Sequence, residues 1–393
     1  MLLDLAIFAL AVAIFGAMFL PALHGRPRWR AMVTPLASII GSGFLVLGPI
    51  LEARFGALAP VAMAALCLGA WAFGAAVRVN IGAEGSPATP AEARIERLAQ
   101  SALAFAYVIS VAYYLNLFGA FAVALTPWHG AFAARIVTTA MLLVIGAVGF
   151  SGGFKALERM EYLSVSLKLA IIGGLILGLA VFFVQKASAG ALIVKPATLG
   201  PWDALRLGFG LIVTVQGFET ARYMGRSYSA PVRIGAMKEA QILSTLIYMA
   251  YIGLLVFLFD PGTTVLSETA IIDMMRIVSP VLPGMLVAAA LAAQFSAAVA
   301  DTGGAGGLTH ELTRGRIPAP RAYLVLVTAG IALTWAADLF AIIAYASRAF
   351  AAYYALQSAL AALRTAGPRR AGYWALAALG VAITLLGTPA EGS

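Results

Sequence analysis

The sequence predicts an all-α integral membrane protein of about twelve transmembrane helices, and three observations predict it. Of the 393 residues, 62% are hydrophobic and only 11% charged, against about 25% charged in ordinary soluble domains. That is too few charges to cover a water-soluble surface of this size. The apolar residues come in runs of roughly 20, the length that crosses a bilayer core as a helix, and the segments of about 10 residues with alternating polarity that mark a β-barrel do not occur. The basic residues fall in the short connections between the runs.

The runs lie near 3–21, 32–51, 57–79, 98–125, 131–150, 160–185, 203–222, 238–259, 279–302, 321–337, 339–363 and 371–388. The first carries Asp4 ahead of its apolar stretch and Arg26, Arg28 and Arg30 behind it, the reverse of a signal peptide's charge order. A retained helix with its N-terminus outside is expected. With that start, the cytoplasmic connections hold Arg26, Arg28, Arg30, Arg78, Arg94, Arg97, Lys155, Arg159, Arg222, Arg226, Arg233, Lys238, Arg314, Arg316, Arg321, Arg364, Arg369 and Arg370. The outer connections hold Arg54, Arg135, Lys186, Lys195 and Arg276. The asymmetry is that of the positive-inside rule, and a missed or invented helix would scramble it. Both termini are therefore expected outside a cytoplasmic (inner) membrane, with the lipid bilayer as surrounding partner. The longest polar connection, about 80–97, contains ATPAEARIER, which reads as a short amphipathic helix lying on the cytoplasmic face, or simply as a solvated connector, with Pro90 near a helix start.

Several function classes drop out. The net charge of +9 does not indicate a nucleic-acid partner, because the basic residues sit in loops between membrane helices. Cys67 is the only cysteine, so no intrachain disulfide can form. His24, His129 and His310 are far apart and lack metal-ligand spacing. No phosphate-binding glycine loop is present, so neither ATP nor any other cofactor is indicated. No catalytic constellation of His, Asp and Ser appears at membrane depth, which argues against an intramembrane enzyme.

Two of the runs are interrupted. The second holds Ile40, Gly41, Ser42, Gly43 and Phe44 near its centre. Each glycine costs about 1 kcal/mol relative to alanine in a helix, so two of them around a serine favour unwinding, and the bared backbone is tolerable only where it lines a cavity. A half-helix N-terminus there would attract a carboxylate; close packing of a neighbouring helix against small residues is the competing explanation. The seventh run holds Val213, Thr214, Gln216, Gly217 and Glu219. A carboxylate at this depth faces a cavity or a partner, and Arg222, three residues on, is the expected ion-pair partner. The interrupted runs are five apart. Helices two to six and seven to eleven then form two halves of opposite orientation, the arrangement whose paired breaks mark a transport site. The chain divides accordingly into an extra first helix (1–31), two five-helix repeats (32–185 and 186–364) and a last helix with tail (365–393).

Five stretches carry a resemblance: IIGSGFLVLGPI, GGFKALERMEYLSVSLKLAII, VTVQGFETA, APVRIGAM and FSAAVADTGGAGGLTHELTRGRIP. In order and spacing they resemble the amino acid–polyamine–organocation (APC) transporters. The likeness implies the leucine-transporter fold, a 5+5 inverted-repeat core with discontinuous first and sixth core helices, and helices one and twelve added outside it. It implies a secondary active transporter of a small organic solute, an amino acid or amine. The solute would sit between the breaks, with N–H groups of Gly41–Gly43 on a carboxylate and carbonyls near Val213 and Thr214 on an ammonium. Lys168, inside the fifth core helix, matches a lysine that stands in place of a sodium ion in proton-coupled members. It would carry the coupling, beside the first break and Ser296, unless it snorkels to the cytoplasmic interface. Asp301 is open to three readings: a cation site, a partner for a basic group, or a place near the cytoplasmic helix end before Gly303, Gly304, Gly306 and Gly307. Arg348 is expected to pair with a carboxylate or line water. Tyr113, Tyr114, Asn116 and Tyr345 are packing residues or lids over the solute.

The chain departs from the family pattern in three places. The glycine-rich, tyrosine-containing segment that often leads into the third core helix is not found. Ala221, Arg222 and Tyr223 replace the usual acidic residues after the sixth-helix motif, and Asp301 stands where small or hydroxyl residues are usual. A potassium transporter, with Asp301 and Glu219 as ligands, and a non-transporting membrane sensor are the alternatives to the organic-solute reading, and sodium is the alternative coupling ion.

Overall fold

The computed structural model describes residues 1–41, 43–85, 88–151, 161–225, 227–260 and 266–390. Ser42, Lys155, Arg159 and Arg226, all named above, lie outside them. Among the described residues the regular structure is all helical, with no strand. In chain order the helices are α1 (Leu2–Met18), α2 (Pro21–His24), α3 (Pro27–Ile39), α4 (Gly43–Phe55), α5 (Ala59–Gly82), α6 (Pro90–Val123), α7 (Ala131–Phe150), α8 (Glu161–Ser188), α9 (Pro201–Gly210), α10 (Ala230–Leu255), α11 (Ala270–Val278), α12 (Leu282–Leu312), α13 (Ala319–Ala336), α14 (Leu339–Leu363) and α15 (Pro368–Leu386). Short 3₁₀ turns run over Gly56–Leu58, Ile212–Val215 and Phe218–Met224.

Each of the twelve predicted runs coincides with a helix or with a helix and its broken continuation. Among the described residues, seven spans are long and apolar enough to cross a membrane unaided. The second run is split into α3 and α4, and the seventh stops as an α-helix at Gly210 and continues as 3₁₀ turns. Proline in the first turn starts α3, α5, α6, α9, α10, α12, α13 and α15, where its missing N–H leaves no bond unmade. The segment ATPAEARIER is not a separate surface helix. Thr89 and Glu92 form a capping box, so the segment becomes the first turns of α6 and continues into the membrane without a stop.

The helices sort by packing. α3, α5, α10 and the 218–224 turn pack on one another, while α6, α7, α12 and α13 form a second group. α14 lies against both α6 and α5, α15 packs on α14, and α1 packs on α8. There Gly173, Gly174 and Gly178 let Ile7 and Ile14 approach the α8 backbone, a small-residue contact of the kind used between membrane helices. α6 and α14 are the most buried spans, α7 the least.

Ion pairs bring several of the basic connections together at one end. Arg28 pairs with Glu239, Arg233 with Glu84, Arg364 with Glu92 and Arg222 with Glu96. At the opposite end Lys195 pairs with Glu52, and Thr198 and Ile193 tie the loop before α9 to Arg54 and Phe257.

Candidate functional site

The two interruptions touch each other in the interior. A Cβ on Gly43 would lie 2.8 Å from the Thr214 Cα, and one on Gly217 2.5 Å from Ser38 Cβ. Only glycine allows either approach, and Gly217 also has φ 114°, which L side chains rarely adopt. Tyr248 of α10 joins the breaks, its hydroxyl lying 3.0 Å from the Ile39 carbonyl and 2.6 Å from that of Thr214.

At the first break the helix ends on Ile40, whose N–H still reaches the Leu36 carbonyl at 3.1 Å. The later carbonyls of α3 have no helical partner. Lys168 donates to that of Ala37 and Tyr248 to that of Ile39. Lys168 is 1% exposed; it is buried against the break and does not snorkel. With Ile40, Gly41, Phe44 and Ala293 it lines a cavity of about 20 Å³. A cation at the carbonyl end of a half-helix is favoured by the helix dipole.

At the second break Ser347 of α14 spans the gap, donating to the Gly210 carbonyl at 2.7 Å and accepting from the Val213 N–H at 3.0 Å. Thr214 bonds back to the Leu211 carbonyl, and the Gln216 N–H approaches Val213 at 3.4 Å. The backbone carbonyls of Val213 and Thr214, expected to face a solute, are thus engaged within the protein in this conformation. Gln216 donates from Nε2 to the Tyr114 hydroxyl at 3.1 Å, and its buried Oε1 has no partner among the described residues.

Glu219 does not pair with Arg222. Its Oε2 accepts from the Gly217 N–H at 3.0 Å and from the Tyr354 hydroxyl at 2.7 Å, and its Oε1 has no partner among the described residues. A 3₁₀ turn repeats every three residues, so the spacing was apt, but Arg222 reaches outward to Glu96 and Gln357 instead. Asp301 is buried and accepts from Ser110 of α6. Among the described residues neither Glu219 nor Asp301 is in an ion pair. Ser296 donates to Ala293 of its own helix at 3.2 Å.

Tyr114 has a larger part than the sequence assigned it. Its ring lies by Gly41, its hydroxyl accepts from Gln216, and its ring is tilted against that of Tyr113 at 5.1 Å. Asn116 donates to Thr334 at 2.9 Å, Tyr345 is exposed, and Arg348 donates to the Thr384 carbonyl of α15 and pairs with no carboxylate among the described residues. Sequence reasoning missed Tyr248, Ser347 and Tyr354, which sit in ordinary apolar or alanine-rich runs with no local mark. On the face opposite the basic connections a cavity of about 560 Å³ opens, lined by Asn116, His129, Arg135, Glu268, Arg276 and Asp338 among others. Among the described residues no group of three or more His, Cys, Asp or Glu is placed to hold a metal.

A multi-pass helical membrane protein whose two broken elements meet among buried polar side chains is, in class, a membrane transporter. A family model described as APC superfamily transporter matches residues 21–387, and the chain belongs to that family. It is 41% identical over 351 residues to an uncharacterized protein of Aquifex aeolicus (strain VF5), covering 87% of this chain and 85% of that one.

Proposed function

We propose that the protein is a secondary active transporter of a small organic solute, an amino acid or amine, coupled to protons and working by alternating access between two five-helix halves. The observation that carries the reading is the junction of the two breaks, Gly43 on Thr214 and Gly217 on Ser38, with Tyr248 bonded to both. Irregular backbone at membrane depth is expected only where it serves a cavity or a moving contact. The solute is held by Ile40, Gly41, Ser42 and Gly43 on one side and by Val213, Thr214, Gln216 and Gly217 on the other, once the junction parts. Lys168 is the coupling residue at the first break, Glu219 at the second; Ser296 and Asp301 support them from α12. The polar cavity opposite the basic connections is the entry from outside, both termini lying on that side of the inner membrane. The buried lysine favours protons over sodium.

The test is uptake into proteoliposomes of labelled amino acids, amines and rubidium, with and without an inward proton gradient, for the parent and Lys168→Ala. Gradient-driven uptake of one organic solute, lost in the variant, supports the reading. Rubidium uptake alone assigns the protein to potassium, and flux indifferent to both gradient and Lys168 removes the coupling assignment.

A further inference from the structure

Arg222 stands where the family pattern carries acidic residues, and the transport reading above gives it no task. It is 8% exposed and makes three bonds. Nη2 meets Glu96 Oε2 at 2.6 Å, Nη1 donates to Gln357 Oε1 at 2.7 Å, and its carbonyl accepts from Arg233 at 2.6 Å. The planar guanidinium fork lets one side chain hold two partners at once.

These partners belong to different bodies. Arg233 and Glu84 lie with Arg222 in the group of α3, α5, α10 and the 218–224 turn, whereas Glu96 lies on α6 in the other group. Among the described residues, Arg222–Glu96 is the one ion pair that joins the two groups directly; Arg28–Glu239 and Arg233–Glu84 stay inside the first, and Arg364–Glu92 ties α14 to the second. The 218–224 turn is also laddered to α14 by two rungs three residues apart on both elements, Glu219 on Tyr354 and Arg222 on Gln357, each 2.7 Å. The ladder ties the turn to α14, and past it Arg222 reaches Glu96 of α6 directly.

We propose that the Arg222–Glu96 pair is the latch that keeps the site closed toward the face of the basic connections, and that its release opens that face. The proposal rests on the alternating-access reading. An ion pair suits such a seam, since both charges recover hydration when the seam opens, which offsets the attraction given up. An apolar seal of the same area would expose hydrocarbon to water instead.

The experiment is amide hydrogen exchange in lipid nanodiscs on the parent, Glu96→Gln and the charge swap Glu96→Arg/Arg222→Glu. No solute is needed, so the latch is decided even if the uptake panel finds none. For Glu96→Gln we expect about tenfold faster exchange at 218–224 and in the first turns of α6, the size of effect that follows when a partly exposed pair loses one charge-assisted hydrogen bond. α7 and the opposite-face ends should exchange as in the parent, and the swap should return the two segments toward parent rates. Parent-like exchange in Glu96→Gln, acceleration spread over all helices, or a swap no slower than Glu96→Gln would each overturn the latch. Should Glu96→Gln fail to fold, the swap decides alone, parent-like exchange at the two segments supporting the latch and faster exchange there refuting it.

Discussion

At the first interruption the carbonyls that α3 leaves open are met by side chains from distant helices, Lys168 of α8 on Ala37 and Tyr248 of α10 on Ile39. At the second, most groups are met close by in the chain. Thr214 and Gln216 bond back within the 3₁₀ turn, Thr220 donates to the Gly217 carbonyl at 2.7 Å, and Glu219 accepts from the Gly217 N–H. The first break is therefore shaped by its neighbours, and movement of α8 or α10 would release it. The second is shaped mainly from within, around one left-handed glycine, with Ser347 and Tyr248 as its supports from other helices. The side chains differ in the same sense. A basic group sits on the carbonyl end of α3 and an acidic one at the amide end of the 218–224 turn, each the type whose charge its helix terminus favours.

If that contrast is right, the largest effect comes from attacking the backbone of the second break. Gly217→Ala must take φ 114° and place its Cβ 2.5 Å from Ser38; left-handed backbone alone costs an L residue about 1–2 kcal/mol, and the overlap adds about 1–3 kcal/mol. Thermal unfolding in detergent should show a loss of several kcal/mol or no monodisperse protein. The matching change in the first break, Gly41→Ala, brings its Cβ to 3.1 Å from the Ser38 carbonyl, a contact that a small backbone shift absorbs, so about 1 kcal/mol or less is expected. Equal losses in the two variants would remove the distinction between the breaks.

Next in size is Lys168→Ala. It strips the Ala37 carbonyl of its buried donor, and an orphaned buried acceptor costs about 1–3 kcal/mol. Proton-driven accumulation in vesicles should vanish as well, as the proposed coupling requires. Tyr248→Phe ranks third. One hydroxyl cannot donate fully to two carbonyls, so its removal should cost about 1–2 kcal/mol. It should loosen both breaks together, raising amide exchange at 40–44 and at 212–217 alike; a rise confined to one would show that Tyr248 serves that break alone.

The sequence made the skeleton legible for a simple reason. Membrane helices are long apolar runs, and the breaks carry glycines and polar residues where such runs otherwise have none. Gly41, Gly43, Gly217, Glu219 and Lys168 stood out on those grounds. What stayed hidden was partnership. Arg222 is three residues from Glu219 yet bonds Glu96 and Gln357, because the 3₁₀ turn packs on α3, α5 and α10 and its guanidinium extends to α6 and α14. Tyr248, Ser347 and Tyr354 lie in runs such as STLIYMAY and RAFAAYYAL, where periodicity shows a buried face but not which carbonyl it meets. ATPAEARIER reads as a surface helix or a solvated connector because four of its ten residues are charged; the capping box at Thr89 and Glu92 shows only that a helix starts there, and where it stops depends on the apolar run that follows.

The smallest structural effect, and the finest division between the breaks, is expected from Glu219→Gln. The amide keeps an oxygen able to accept from the Gly217 N–H and the Tyr354 hydroxyl, as Oε2 does now, so unfolding should shift by about 1 kcal/mol or less. What the variant cannot do is gain or lose a proton. If coupling involves the second break, proton-driven accumulation should disappear while exchange of internal for external solute without a gradient persists, because the binding groups of the breaks are intact. Should accumulation survive in Glu219→Gln and fail in Lys168→Ala, coupling resides at the first break alone. Glu219 is then a structural anion that keeps Gly217 in its left-handed turn, and the breaks divide their labour fully, one carrying the proton and the other holding shape.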